Sequence, residues 1–411
     1  MSDAPSHSRV APPSGAIRLD GGRRPVVLHV AQPGSEGVAH YVVDMVRELA
    51  ADFVMAVAGP SDSVLSRELS SLPVSFHPWN AARNPFNGLL ADSRRLDRII
   101  AEVQPDLVHL HSSKAGAVGR LLIRRRLPTV LQPHAWSFQS VGPGMAAVAL
   151  RWERLAARWT HALIAVSQAE SDIAIRNGIR GFGHTEIIAN PVDTGRFRPV
   201  SADERNRTGS SPFVGVVDPG HKLIVACVGR LCRQKGQDVL VSSVWPQVRT
   251  RVPESALVLI GDGPDRAGLQ SLADGSVYIL GNRTDVDELL RHVDLAVFPS
   301  RWEGMSLAML EAMASGVSIV TSEVGGSAET VGRGAGAVVP LHDTAAWVDA
   351  IVSRLQSEGI RTAEGRRGRE IATTAHTTES VARRLAAVYC TLVADVDRAE
   401  SINSFNRVVR R

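Results

Sequence analysis

The chain alternates between two kinds of segment, and it does so twice. Short apolar runs such as PVVLHVA (residues 25–31), FVMAVA, DLVHLH and TVLQPH in the first half, and LIVACVG, ALVLIG and VDLAVFPS in the second, are each followed by a turn and then by helical spacing of apolar residues. Continuous apolar runs of this length read as strands buried on both faces, and their alternation with helices is the pattern of a parallel sheet covered by helices. A polar run from Ser201 to Gly220, ending in Asp-Pro-Gly, separates the two sets. At 411 residues there is enough chain for a core in each. The expected architecture is α/β, with two domains of similar size facing each other across a cleft.

The same periodicity sets the expected boundaries, residues 25–200 for the first domain and 201–376 for the second. From Thr377 to Asp397, Val381, Leu385, Val388 and Leu392 recur at helical spacing and predict one further helix. Residues 1–24 carry neither a basic n-region nor an apolar h-region, so they read as a disordered tail and not as a signal peptide. No apolar run approaches the roughly 18 residues of a membrane span, and the expected location is the cytosol. Cys227, Cys232 and Cys390 are too few and too poorly spaced for a disulfide framework or a zinc site, and read as small core fillers. A net charge of +4 suits an anionic ligand or an acidic membrane surface. Nucleic acid fits less well, because the arginines are dispersed and aromatics make up only 5% of the chain.

The stretch EGMSLAMLEAMASG, from Glu303 to Gly316, carries the densest chemistry. It follows a strand signal that ends at Pro299 and Ser300. Ser306 suits an N-cap, Leu307, Leu310 and Met313 recur at helical spacing, and Gly316 suits the left-handed residue that closes a helix. The amides of Gly304, Met305, Ser306 and Leu307 are therefore expected to converge at the positive end of a helix, a site for phosphate. Glu311, two turns further on, cannot serve that anion, but a carboxylate there accepts hydrogen bonds from hydroxyls. An ordinary helix on a sheet, with Glu311 on a wet face, is the plainer reading of these residues alone.

Glu303 and Glu311, spaced Glu-x7-Glu, preceded by Pro-Ser and followed by Ala-Ser-Gly, resemble the donor-site signature of family 4 glycosyltransferases. The resemblance covers roughly Pro25 to Asp397, with sharper motifs in the second half. It implies the GT-B architecture, two facing Rossmann-like domains with a donor cleft between them, and transfer of a sugar from a UDP- or GDP-linked donor to a hydroxyl acceptor with retention of configuration. By resemblance, Glu303 faces the transferred sugar, Glu311 the ribose hydroxyls, and Arg230 and Lys235 of GRLCRQKG the diphosphate. The loop Gly281 to Val286, with Arg283 and Val286, would hold the nucleobase. His134 of QPHAWSF would line the donor sugar. His134, Arg230, Lys235 and Glu303 are then the catalytic set. Fixed cations near a leaving nucleoside diphosphate stabilise its growing charge without reorganising, so no metal and no cofactor is expected.

In the first half the resemblance is looser. The turn Gly34 to Gly37 follows the first strand and could approach a phosphate, but Glu36-Gly37 stands where the family usually has paired glycines. DLVHLHSSKAG resembles the family's histidine-bearing strand and places His111 and Lys114 on the acceptor side. For His109 and His111 taken singly, a buried or capping histidine is the favoured reading. Ser167 with Glu170 has the pattern of a capping box. In RWERLAARW, Trp152, Leu155, Ala156 and Trp159 share one helical face; a core-facing helix is favoured over a membrane-binding one. By resemblance the helix at 377–397 returns to the first domain.

Asp285-Val286-Asp287 and Asp395-Val396-Asp397 look like the metal motif of another glycosyltransferase architecture, but read as a helix cap and a charged helix. GRGAGAV at 332–338 follows no strand, which a dinucleotide fingerprint requires. SSKAG and PHAWSF look most like members that build exopolysaccharide on lipid-linked acceptors. The cluster Arg120, Arg124, Arg125 and Arg126 could meet an anionic membrane. The alternatives are a nucleotide-sugar epimerase or hydrolase of the same fold, or a non-catalytic partner subunit.

Overall fold

The computed structural model describes residues 18–19, 22–82, 88–200 and 212–409, with side chains through Asp395. Most of the tail expected over residues 1–24, and residues 201–211 of the polar run, lie outside the described residues. The first sheet has seven parallel strands: β1 (Val26–Ala31), β2 (Val54–Gly59), β3 (Ser75–Pro78), β4 (Leu107–His111), β5 (Thr129–Gln132), β6 (Ala162–Ala165) and β7 (His184–Ile187). Their order is β3-β2-β1-β4-β5-β6-β7. The second has six: β8 (Leu223–Val228), β9 (Ser255–Ile260), β10 (Val277–Gly281), β11 (Leu295–Phe298), β12 (Ser318–Ser322) and β13 (Gly336–Val339), in the order β10-β9-β8-β11-β12-β13.

Both orders reverse direction at one point, between β1 and β4 in the first sheet and between β8 and β11 in the second. In an open parallel sheet the connections leave that point in opposite directions, which opens a crevice beyond the carboxyl ends of the strands. Glu36 follows β1, His111 ends β4, Arg230 follows β8 and Glu303 follows β11. The residues singled out by motif thus sit at the two crevices.

The inner strands are buried because helices cover both faces of each sheet, whereas the edge strands β3 and β7 are largely open to solvent. β4, LVHLH, is buried at every position, its two histidines included. The last helix, Thr378–Val409, extends well past Asp397 and lies on the first domain. Its Val381, Leu385, Tyr389 and Leu392 share a core with Tyr41, Val42 and Met45 of the helix Glu36–Leu49. Burying four such side chains at ~1.5–3 kcal/mol each is enough to hold a chain end that crosses between domains.

Several local expectations need correction. Ser167 caps its helix by accepting from the Glu170 amide at 3.1 Å, but Glu170 does not close a capping box; its Oε2 accepts from Val166 N at 2.8 Å, one residue further back. In the helix Pro143–Ala156 the core face is Ala149, Glu153 and Ala156, and Leu155 is exposed. The reason is Arg120, which is buried and needs Glu153 as its partner at 2.8 and 3.0 Å. That pair rotates the helix so that Leu155 faces outward. Asp285 caps nothing with its side chain, which instead holds Arg283. Of the three cysteines only Cys227 is buried in the core.

Candidate active site

The second domain builds the charged half of the cleft. After β8 the chain turns through Arg230 to a 3-10 turn at Arg233–Lys235 and then to Gly236, with φ +70°. A Cβ on Gly236 would lie 1.9 Å from the carbonyl oxygen of Pro299, so only glycine lets this turn close on the loop after β11. That contact brings Lys235 to Glu303. The Lys235 Nζ lies 2.9 Å from both carboxylate oxygens of Glu303. Burial works to lower the Lys235 pKa, but the Glu303 carboxylate outweighs it, and the ammonium is held above its usual range.

Glu303 leads into the helix Leu307–Ala314, capped by Ser306, whose hydroxyl accepts from Met309 N at 3.4 Å. Gly316, at φ +76°, follows it in the left-handed region. Among the described residues, the amides of Gly304, Met305, Ser306 and Leu307 donate to no protein acceptor. They point at the cleft end of the helix with the macrodipole behind them. Glu311 lies on the same helix, partly covered. Its carboxylate has no hydrogen-bond or ion-pair partner among the described residues, and burial pushes its pKa up to about 7, against the pull of Arg196 and with Asp44 and Asp287 adding to the rise.

The first domain closes the cleft at close range. A Cβ on Gly304 would lie 3.0 Å from Val166 Cγ2 and 3.2 Å from the His134 backbone, so the two domains touch closely enough there that a side chain would push its neighbours aside by a few tenths of an ångström. Asn190 Nδ2 donates to Met305 O at 2.8 Å, and Glu329 accepts from Gln168 N at 3.1 Å and Ala169 N at 2.5 Å. His134 and Ala135 both have positive φ, +56° and +127°. Non-glycine residues in that region are strained, and strain of this kind collects at functional sites. Burial lowers the His134 pKa to about 3, so its ring is neutral. Glu36 also has positive φ, +63°, which is the backbone demand that glycine ordinarily meets there. Its carboxylate reaches across the cleft to Arg230 at 3.4 Å. Next to it, a Cβ on Gly37 would lie 3.3 Å from Leu307 Cδ1.

Arg230, Lys235, Glu303, Glu36, Gly37, His134 and the residues Gly304 to Leu307 therefore share one cleft, with Glu311 on its helix. The acceptor-side candidates Lys114 and His111 are buried in the first domain. Lys114 is buried, and its ammonium is 2.7 Å from Asp92, an internal pair and not a surface for an acceptor. His109 and His111 are fully buried within the first domain. Arg283 is engaged by Asp285, and Val286 begins the helix Val286–Leu290. Asn190, Glu329 and Arg196, which pairs with Asp287 at 3.0 Å, are not among the expected site residues; the folded chain brings them to the domain boundary.

Two family profiles match the chain, one described as Glycosyltransferase Family 4 over residues 35–196 and one as Glycosyl transferases group 1 over residues 222–357. A UDP-Gal:alpha-D-GlcNAc-diphosphoundecaprenol alpha-1,3-galactosyltransferase of Escherichia coli is 27% identical over 62% of this chain and 68% of its own. A GDP-mannose-dependent alpha-(1-6)-phosphatidylinositol monomannoside mannosyltransferase of Mycobacterium tuberculosis is 33% identical over 49% of this chain, which spans 54% of that relative. In three dimensions, HepE from Anabaena in complex with UDP-glucose matches with a TM-score of 0.75 at 21% identity, covering 90% of this chain and all of that one. That likeness is one of fold, the two-domain GT-B architecture.

Proposed function

The chain belongs to glycosyltransferase family 4, and from that premise we propose that its cleft transfers a hexosyl unit from a UDP- or GDP-linked donor to a hydroxyl acceptor with retention of configuration. The observation that carries this reading is the Lys235–Glu303 pair beside four unengaged amides and an unpartnered carboxylate, Glu311. A nucleoside diphosphate offers complementary chemistry to each. Its phosphates fit the amides, Lys235 and Arg230, and its ribose hydroxyls fit Glu311. Glu303 reaches the transferred sugar, and its grip on Lys235 holds both groups in place before the donor arrives. His134 approaches from the opposite domain. The positive charge that builds up the departing diphosphate's stabilisation comes from Arg230, Lys235 and the helix terminus, and no divalent metal takes part.

Calorimetric titration with UDP and GDP tests the reading, since one of the two should bind with a micromolar to millimolar constant typical of such substrates. If neither binds, the donor site is misassigned. Turnover should survive EDTA; full loss restored by magnesium or manganese rules out the metal-free mechanism.

Glu36 sets a second test. Its carboxylate competes with an incoming diphosphate for Arg230, but the pair is partly exposed and worth at most about 1 kcal/mol. Glu36→Gly is expected to tighten nucleoside diphosphate binding by about two- to fivefold. Weaker binding in this variant would mean that Glu36 itself holds the donor.

The acceptor we propose is a lipid-linked glycan in polysaccharide or glycolipid synthesis, met at the inner membrane face by the first domain. Among the described residues no helix is long and apolar enough to cross a membrane. Arg120 is unavailable to lipid because Glu153 holds it in the interior. The surface that supports membrane contact is the neighbouring helix Pro143–Ala156, where Met145, Val148 and Leu155 are 45%, 46% and 40% exposed beside Arg151 and Arg154. An apolar stripe edged by arginines is the form of an interfacial helix. Replacing Met145 and Val148 by serine and Arg151 by glutamine should reduce binding to anionic liposomes at least tenfold, each arginine near the surface being worth about 1 kcal/mol. Equal binding of both forms would remove the membrane from this account.

A further inference from the structure

Behind His134 a file of histidines runs into the core of the first domain. β1 and β4 pair in register, His29 beside His109 and Ala31 beside His111. Residues two apart on a strand share a face, so His29, His109 and His111 all project from one face of the sheet. Tyr389, from the helix Thr378–Val409, meets them there. His111 Nδ1 lies 3.1 Å from His134 Nε2, His111 Nε2 lies 2.9 Å from His29 Nδ1, and His29 Nε2 lies 3.4 Å from the Tyr389 hydroxyl. The same hydroxyl lies 2.6 Å from His109 Nδ1. His29, His109 and His111 are fully buried, and only His134 reaches the cleft.

We propose that Tyr389 is a positioning residue that holds His134 in its Nε2–H tautomer, leaving Nδ1 as a hydrogen-bond acceptor for a donor-sugar hydroxyl. A neutral imidazole has one donor nitrogen and one acceptor, so in a chain of them one bond fixes the direction of all the rest. Hydroxyl donors make the shorter bonds and ring N–H donors the longer ones. The 2.6 Å contact therefore has Tyr389 donating to His109 Nδ1, and the 3.4 Å contact has His29 Nε2–H donating to Tyr389. His29 Nδ1 is then bare and accepts from His111 Nε2–H. His111 Nδ1 is bare in turn and accepts from His134 Nε2–H. His109 carries its remaining proton on Nε2, beside Gln132. Burial keeps the file neutral, lowering His29 to about 3 and His109 and His111 well below the usual histidine range, while raising Tyr389 well above the usual phenol range.

A metal ion is the competing account, because nitrogens of His29, His109 and His111 all lie within 4.8 Å of one another. Bonds of about 2.0 Å at tetrahedral angles would hold ligand nitrogens ~3.3 Å apart. The 2.9 Å separation of His29 and His111 is instead that of a hydrogen bond.

The sugar-hydroxyl role rests on the proposed donor site, but the tautomer does not, and the experiment reads it without turnover. In 15N-labelled protein, long-range proton–nitrogen spectra should show His134 protonated at Nε2. In Tyr389→Phe, which keeps the ring and loses the hydroxyl, the His134 tautomer ratio should shift at least about fivefold, the effect of one buried hydrogen bond. His29→Phe should shift it likewise, and adding Tyr389→Phe to His29→Phe should change nothing further. Should Tyr389→Phe fail to fold, His29→Phe carries the same test. Turnover should fall with the tautomer shift while affinity for the free nucleoside diphosphate holds. An unshifted His134 in both folded variants overturns the proposal, as does a further shift in the double variant. One equivalent of zinc per chain, lost in His29→Phe, overturns it in favour of a metal centre.

Discussion

Lys235→Ala is expected to reduce turnover by roughly a hundred- to a thousandfold, the usual consequence of removing one fixed positive group from a developing negative charge. It should also destabilise the fold. The Lys235 and Glu303 side chains are 18% and 11% exposed, and removing one member of such a pair leaves a mostly buried carboxylate uncompensated, at a cost of roughly 3 kcal/mol. The two effects separate in the double variant Lys235→Ala/Glu303→Ala. Without the stranded carboxylate, most of the lost stability should return, and turnover should not. Thermal unfolding and steady-state rates on the single and double variants check this. If turnover in the single variant stays within tenfold of the parent, Lys235 is a structural partner of Glu303 and no more.

Glu303→Ala and Glu311→Ala are expected to fail in different ways, because one residue lies in the loop before the helix and the other two turns along it. Glu311→Ala should weaken free nucleoside diphosphate and intact donor alike, since both carry the ribose, by roughly 1.5–3 kcal/mol. Glu303→Ala should leave the free nucleoside diphosphate nearly unaffected and lower turnover, as an interaction with the reacting part of the ligand does. Equal weakening of the sugar-free nucleotide in both, with folding intact by circular dichroism, would show the roles to be wrongly divided.

Glu311 adds a pH dependence whose sign follows from burial. Its pKa is about 7 in the folded chain against 4.5 for the free side chain. Between these values the folded chain holds a proton that the unfolded chain has released. Stability from this group is therefore lost as pH rises through that window, and the full penalty applies above about 7. Hydroxyl donors favour the carboxylate, so nucleotide affinity should climb with pH, by up to about tenfold per unit, and level off above 7. Glu311→Gln should remove that component, and an unchanged profile in this variant would assign it to another group.

Much of the fold was legible because a parallel sheet writes its pattern locally. β8 is LIVACV and β11 is LAVF, runs with no polar face, and each is followed by a turn and a helix. The helix Leu307–Ala314 with its Ser306 cap and Gly316 stop was readable for the same reason: caps and periodicity act within a few residues. Lys114 and Leu155 were misread because their surroundings come from elsewhere in the chain. Asp92 takes up Lys114 from the helix Leu89–Val103, and the buried Arg120–Glu153 pair sets the rotation of the helix that carries Leu155.

The sequence by itself determined which atoms are available: Arg230 and Lys235 on a glycine-bearing turn, two carboxylates at fixed spacing, and a histidine after a strand. These follow from neighbours along the chain. Only the tertiary structure decided how those atoms are spent. Lys235 meets Glu303 because Gly236 lets one turn close on the carbonyl of Pro299, and Glu36 meets Arg230 because two domains approach until Gly304 touches the backbone of His134. Tyr389 reaches the histidine file from 280 positions beyond His109. Contacts of that sequence separation depend on how whole sheets and helices pack, and no local pattern carries them.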